Sequence, residues 1–185
     1  MITAGIDYST TSPCVCIHKD GSFNPNNCTF NFFALDKWRD RWSSIQNVNV
    51  FKMPNLEGIE KYTFLADWAL DRLIWFNGRA EKVFLEDYAY AATGRVFHIA
   101  ENAGILKYKL SKFKTETIPP TVIKKFATGR GNASKDDMLD AWKKEDNTFK
   151  LIQETGNPAS DIIDAYFICK YGYEQLSEDV DISSI

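Results

Sequence analysis

Four carboxylates interrupt segments that otherwise read as protein interior. Asp7 lies in the apolar opening MITAGIDYSTTS, Glu86 ends the run VFLEDY, and Asp161 and Asp164 stand three apart in PASDIIDAYFICKYG. An ionised carboxylate is costly in such surroundings unless it is paired or binds a cation. Hard oxygen ligands gathered without His or Cys suit Mg²⁺, with Mn²⁺ as a substitute, rather than zinc. Two divalent ions roughly 4 Å apart would activate a water and stabilise both the attacking and the departing oxygen in phosphodiester hydrolysis. That chemistry needs no Ser-His-Asp or Cys-His set. Crowded carboxylates repel one another, so a metal-free site should hold at least one of them at a raised pKa.

Each position also has a plainer reading. Asp7 could close an Asx-turn in DYSTT, Asp161 could serve only as a favourable first-turn charge of a helix, and either Glu86 or Asp87 could face solvent. Alternation places Glu86 on the side of Phe84, pointing inward. Asp164 shares a helical face with Asp161, Ala165, Ile168 and Gly172, which turns both carboxylates toward the packed side.

The elements that must carry these residues follow from periodicity. Met1 to Tyr8, Pro13 to His18 and Cys28 to Leu35 read as three consecutive antiparallel strands, with a hairpin signal at Lys19-Asp20-Gly21. Leu56 to Phe76 is helical and apolar on two sides. Glu81 to Glu86 is a fourth strand, Val96 to Leu110 a helix, and Thr115 to Ile118 a fifth strand cut off by Pro119 and Pro120. Thr121 to Ala127 is a short helix. Ser134 with Asp137 resembles a capping box for the next one, and Asn157-Pro158 opens a last helix to about Tyr173. The predicted fold is α/β, a five-stranded mixed sheet flanked by helices. It forms a single domain over 1–185, with residues 36–60 an irregular Trp/Arg-rich insertion and 176–185 a frayed acidic tail.

A chain of 185 residues that is 44% hydrophobic can bury a full core. No apolar run reaches the roughly 20 residues that cross a bilayer, and the N-terminus lacks a signal-peptide pattern, so the expectation is a cytoplasmic, non-secreted protein without membrane contact. Cys14, Cys16, Cys28 and Cys169 outline no disulfide framework. Cys14, Cys16 and His18 could share a strand face as soft ligands, but nothing completes a zinc site. The net charge of −3 argues against a generic polyanion binder. Its distribution argues otherwise. From Glu101 to Lys135 there are eight basic residues, Lys107, Lys109, Lys112, Lys114, Lys124, Lys125, Arg130 and Lys135, against two acidic ones. Such a stripe is either a solvated helix face or a surface for a phosphate backbone.

The segments GIDYSTTSP, VFLEDYAY, RVFHIAENAGILKYKL, IPPTVIKKFATGRGNASKDDM and SDIIDAYFI, in this order, resemble the RuvC family of Holliday junction resolvases, with the proline-flanked TGRGNAS loop similar to its viral and phage branch. The resemblance spans the chain apart from Asp36 to Glu60 and the tail. It implies an RNase H-like nuclease that cuts four-way and other branched DNA with Mg²⁺ held by Asp7, Glu86, Asp161 and Asp164, and with no small-molecule cofactor. It also implies phosphate contacts from Lys124 or Lys125 and from Lys135, and an aromatic residue, Tyr88 or Tyr90, stacked at the junction centre. Lys107 and Arg130 belong to the same basic stripe.

Two other readings compete. GIDYSTTS resembles the phosphate-binding opening of actin-like sugar and acetate kinases, but Tyr8 stands where glycine would admit phosphate and a second domain is missing. A catalytically silent DNA-binding scaffold would not need all four acids. Two symmetric nicks in one junction point to a homodimer. Trp68 and Trp75 on the two-sided helix are its candidate anchors, unless the Trp38 to Trp42 segment covers that face within one chain.

Overall fold

Strand β1 (Thr3–Asp7) runs through the middle of the protein, with Thr3, Ala4, Gly5 and Ile6 all buried. The computed structural model describes residues 2–75, 80–87, 96–145 and 148–182. β1 pairs antiparallel with β2 (Cys14–His18), which pairs antiparallel with β3 (Cys28–Phe33). On its other side β1 pairs parallel with β5 (Lys82–Glu86), and β5 pairs parallel with β6 (Lys114–Ile118). The three leading antiparallel strands and the two later ones are as expected.

The sheet has six strands, not five, in the order β4-β3-β2-β1-β5-β6. The extra strand is β4 (Val48–Phe51), parallel to β3 and reached through helix α1 (Asp36–Ser43). The segment expected to be an irregular insertion is therefore a β-α-β extension of the sheet edge. It holds because Trp42 is fully buried with its ring edge-on to Phe32 at 5.3 Å, and because Asn49 donates its side-chain amide to Asn31 across the strand pair at 3.0 Å.

Alternation sorts the strand residues onto two cores. Cys14, Cys16, Phe30, Phe32 and Phe84 face helix α6 (Ala159–Ile182), together with α4 (Pro120–Thr128) and α5 (Lys135–Lys143). Ala4, Ile6, Val15, Ile17, Val83 and Leu85 face helices α2 (Gly58–Trp75) and α3 (Val96–Lys109). The result is a three-layer sandwich. Helix α6 continues to Ile182, well past the expected end near Tyr173. Among the described residues no helix is long and apolar enough to cross a membrane.

Two glycines set how α6 lies on the sheet. A Cβ on Gly5 would fall 2.3 Å from the backbone nitrogen of Cys169 and 2.6 Å from the carbonyl oxygen of Ala165. A Cβ on Gly172 would fall 2.1 Å from the Phe84 ring of β5. Helix and sheet thus touch backbone to backbone at Gly5, and at Gly172 the helix backbone rests on the Phe84 ring, approaches that no larger residue permits.

The expected dimer anchor Trp68 is a core residue instead. It is buried against Phe33 at 4.6 Å and Phe51 at 5.6 Å, so at Trp68 the second apolar side of α2 is covered from within the chain by β3 and β4, while Phe64 on the same side stays 38% exposed. The side chain of Trp75 lies outside the described residues.

Candidate active site

Asp7 and Glu86 end neighbouring parallel strands, one residue past the paired Ile6 and Leu85. Parity puts both on the α6 face: Asp7 follows Gly5, which touches α6, and Glu86 follows Phe84, which touches Gly172. The N-terminal turns of α6 lie over these strand ends. Asp164 immediately precedes Ala165, the residue in contact with Gly5, and Asp161 lies one turn earlier. A strand advances about 3.3 Å per residue and a helix about 1.5 Å, so stepping two residues along β1 from Gly5 and one turn back along α6 brings Asp7 and Asp161 together.

The electrostatics report the same convergence. Burial raises the Asp7 carboxyl well above its usual range, and the charges of Asp161, Asp164 and Glu86 raise it further. Glu86 is pushed up to about 7 by burial and then by Asp164, while Lys124 pulls it down. Asp161 rises to about 7, chiefly from burial, with Ser12 and Lys135 opposing. Asp164 rises to about 6 from burial, against Lys135 and Lys124. Burial, reinforced by the neighbouring charges at Asp7, Glu86 and Asp161, holds all four carboxyls above their usual range, so that Glu86 and Asp161 are only partly ionised at neutral pH.

Their donor chemistry fits such a cation. The Oδ2 of Asp161 is buried without a hydrogen-bond partner, a state that costs free energy and that an ion would relieve. Among the described residues no group of three or more His, Cys, Asp or Glu side chains is already set to hold a metal ion. The carboxylates border open space instead. Asp7 and Glu86 line a cavity of about 360 Å³ toward α3, and Asp164 lines one of about 180 Å³ toward α5.

The turn after β1 does not need the Asp7 carboxylate. Ser9 closes it, its hydroxyl accepting from the backbone N–H of Ser12 at 2.9 Å. Asn157, expected only as a helix cap, donates its side-chain amide to the Ser12 hydroxyl at 2.6 Å. That bond ties the turn after β1 to the start of α6, so both carboxylate-bearing ends are held in one assembly. Nothing in the local pattern around Ser12 or Asn157 announces a link 145 residues apart.

The basic residues divide. Lys124 on α4 and Lys135 at the start of α5 are near enough to act on the carboxylates. Between Lys124 and Lys125, the structure brings Lys124 to the site, half-buried, while Lys125 points into solvent. The capping box of Ser134 and Asp137 is present as expected and positions Lys135 at the first helical residue. Arg130 is bound to Asp137 at 2.7 Å, which braces the glycine-rich turn. Lys107 lines the cavity beside Asp7 and Glu86 and pairs with Asp87 at 3.7 Å. Tyr88 and Tyr90 lie outside the described residues. Cys14, Cys16, Cys28 and Cys169 are all free and buried.

No protein-family model and no curated protein matches the chain. Among solved structures the chain is similar to Thermus thermophilus RuvC, with a TM-score of 0.61 and 14% identity over 95% of this chain and 96% of that one. The same values hold for a structure of T. thermophilus RuvC in complex with Holliday junction substrate. The likeness runs from end to end and shows the fold: a RuvC-like, RNase H-like α/β sandwich.

Proposed function

We propose that this protein is a structure-selective endodeoxyribonuclease that resolves Holliday junctions, and acts on other branched DNA, by hydrolysing phosphodiester bonds. One observation carries the reading: Asp7, Glu86, Asp161 and Asp164, from three separate parts of the chain, influence one another's protonation at the strand ends, with Lys124 and Lys135 beside them. The end-to-end likeness to a RuvC bound to junction substrate supports it as analogy of fold.

Asp7, Glu86, Asp161 and Asp164 would hold divalent cations, Mg²⁺ or Mn²⁺. When bound, such ions lower the pKa of a water and offset charge on the oxygens of the phosphate. The chain supplies the rest. The α6 carboxylates are oriented by the Gly5 contact and by the Asn157–Ser12 bond, and Lys124 and Lys135 draw the phosphate backbone to the carboxylate edge. Two symmetric nicks are most simply made by two copies about a twofold axis, so the working unit in this reading is a homodimer.

Synthetic four-way junctions, forks, flaps and linear duplex, each incubated with Mg²⁺ and with chelator, test the reading. Paired nicks on the branched substrates, abolished by chelator, are expected. Equal cutting of linear duplex, or cutting unaffected by chelator, would overturn it. Sedimentation at micromolar concentration tests the dimer: a strict monomer that still makes paired nicks refutes it.

A further inference from the structure

The cavity beside Asp7 and Glu86 contains more than the carboxylates need. Its far wall is a stripe of α3, with Ile99, Asn102, Ala103 and Lys107 at the spacing of one helical face, opposite Tyr8 and Leu85. Asn102 is only 1% exposed, and its Oδ1 has no hydrogen-bond partner. The Tyr8 hydroxyl, also buried, has none either. A buried amide left unsatisfied is costly unless something outside the chain completes it. Apolar walls, two unmet polar groups and a volume of about 360 Å³ make a built ligand site, within the roughly 300–1,000 Å³ typical of such pockets.

We propose that this cavity takes one nucleobase, unstacked from the DNA strand next to the scissile phosphate, with the Asn102 amide and the Tyr8 hydroxyl reading its hydrogen-bonding edge. The inference rests on the junction-cleaving reading above. A flat ring with polar atoms on its rim and apolar faces matches this lining, and Lys107 stands at the cavity where the base's own phosphate would lie. Unstacking is least costly at a branch point, where base stacking is already interrupted. Asn102 sets a preference for the nucleotide beside the cut; it touches the base and not the reacting phosphate.

The test uses the full chain and four-way junctions carrying 2-aminopurine at each nucleotide flanking the branch in turn, titrated in the presence of chelator so that nothing is cut. Wild-type protein should raise the fluorescence several-fold at one position, reporting an unstacked base. Asn102→Leu should lose that rise while still binding the junction. In a second arm with Mg²⁺, an abasic nucleotide at that position should slow wild-type cleavage about tenfold, and the ratio should collapse toward one in Asn102→Leu. Its melting temperature should equal or exceed that of wild type, because leucine removes an unpartnered polar group. Should the leucine variant fail to fold, Tyr8→Phe, which removes only the hydroxyl, serves in both arms. Junction binding without fluorescence change at any position, or an unchanged response in the variants, shows the cavity to be merely water-filled and overturns the proposal. Failure of wild type to bind or cut junctions at all instead overturns the nuclease reading on which it rests.

Discussion

The two faces of β1 are built to different standards. On one, Gly5 lets α6 approach until backbone meets backbone, with no space for a single added carbon. On the other, Ala4 and Ile6 meet α2 and α3 through large side chains such as Leu65, Trp68 and Leu73, and the layers part near the strand ends into a cavity. Backbone contact fixes position tightly but permits no substitution, whereas side-chain contact tolerates repacking. The carboxylates stand on the first kind of face. In the proposed reading, a site of four mutually repelling carboxylates needs them held to a fraction of an ångström, while a pocket for a flat ring gains from room.

The largest expected effect comes from the charged face. Asp7→Asn, Glu86→Gln, Asp161→Asn and Asp164→Asn should each reduce Mg²⁺-dependent junction cleavage by about a thousandfold, which corresponds to several kcal/mol of lost transition-state stabilisation, while junction binding persists in gel-shift assays. Full activity in Asp7→Asn or Glu86→Gln would sink the assignment of the site.

A pair of variants then sets the faces directly against each other. Gly5→Ala forces α6 off β1 and should cost about 1–3 kcal/mol by overpacking, with cleavage per folded molecule falling at least tenfold as Asp161 and Asp164 move. Leu65→Ala on the opposite face leaves a void and should cost about 2–5 kcal/mol, yet cleavage per folded molecule should stay near wild type. Denaturant melts paired with active-fraction measurements decide it. If both variants lose activity only in proportion to stability, the distinction between the faces carries no functional weight.

Much of the charged face is legible in the sequence because period-two and period-3.6 patterns are local. GID and VFLE place Asp7 and Glu86 on one side, and Asp161, Asp164, Ala165, Ile168 and Gly172 fall on one helical stripe. What escapes is whatever depends on distant partners. The strand NVNVF is short and carries asparagines that read as turn formers, and its pairing rests on Asn31 and Trp42, neither adjacent to it. Trp68 looks like a surplus surface anchor because nothing nearby shows that Phe51 will cover it. Asn102 carries no signal of its own in the sequence, and only its burial in the fold singles it out.

The basic residues give a smaller, graded effect. Lys124 and Lys135 reach the carboxylates, whereas Lys125 does not. Lys124→Ala and Lys135→Ala should each lower the slope of log affinity against log salt by about 0.9 on duplex arms and slow cleavage about tenfold. Lys125→Ala should change the slope by no more than this and leave the cleavage rate at saturating DNA unaltered. The stripe is a solvated face if the Lys124, Lys125 and Lys135 triple alanine variant keeps an unchanged salt slope.

The smallest effect concerns stability alone and follows from the raised carboxyl pKa values. Glu86 and Asp161 near 7, Asp164 near 6 and Asp7 well above its usual range all hold protons in the fold that the unfolded chain has released by about pH 5. The folded state binds more protons, so their contribution to stability is fully present below about pH 4 and is lost as pH rises through 6 to 7. Metal-free protein should therefore melt several degrees lower at pH 8 than at pH 5. Mg²⁺ needs the ionised carboxylates, so it should raise the melting temperature at pH 8 and have almost no effect at pH 5. Asp161→Asn removes one of the titrating groups and should flatten the metal-free slope. A Mg²⁺ shift of equal size at both pH values would mean that the ion binds elsewhere, and a slope untouched by Asp161→Asn would mean that the four carboxylates do not share one site.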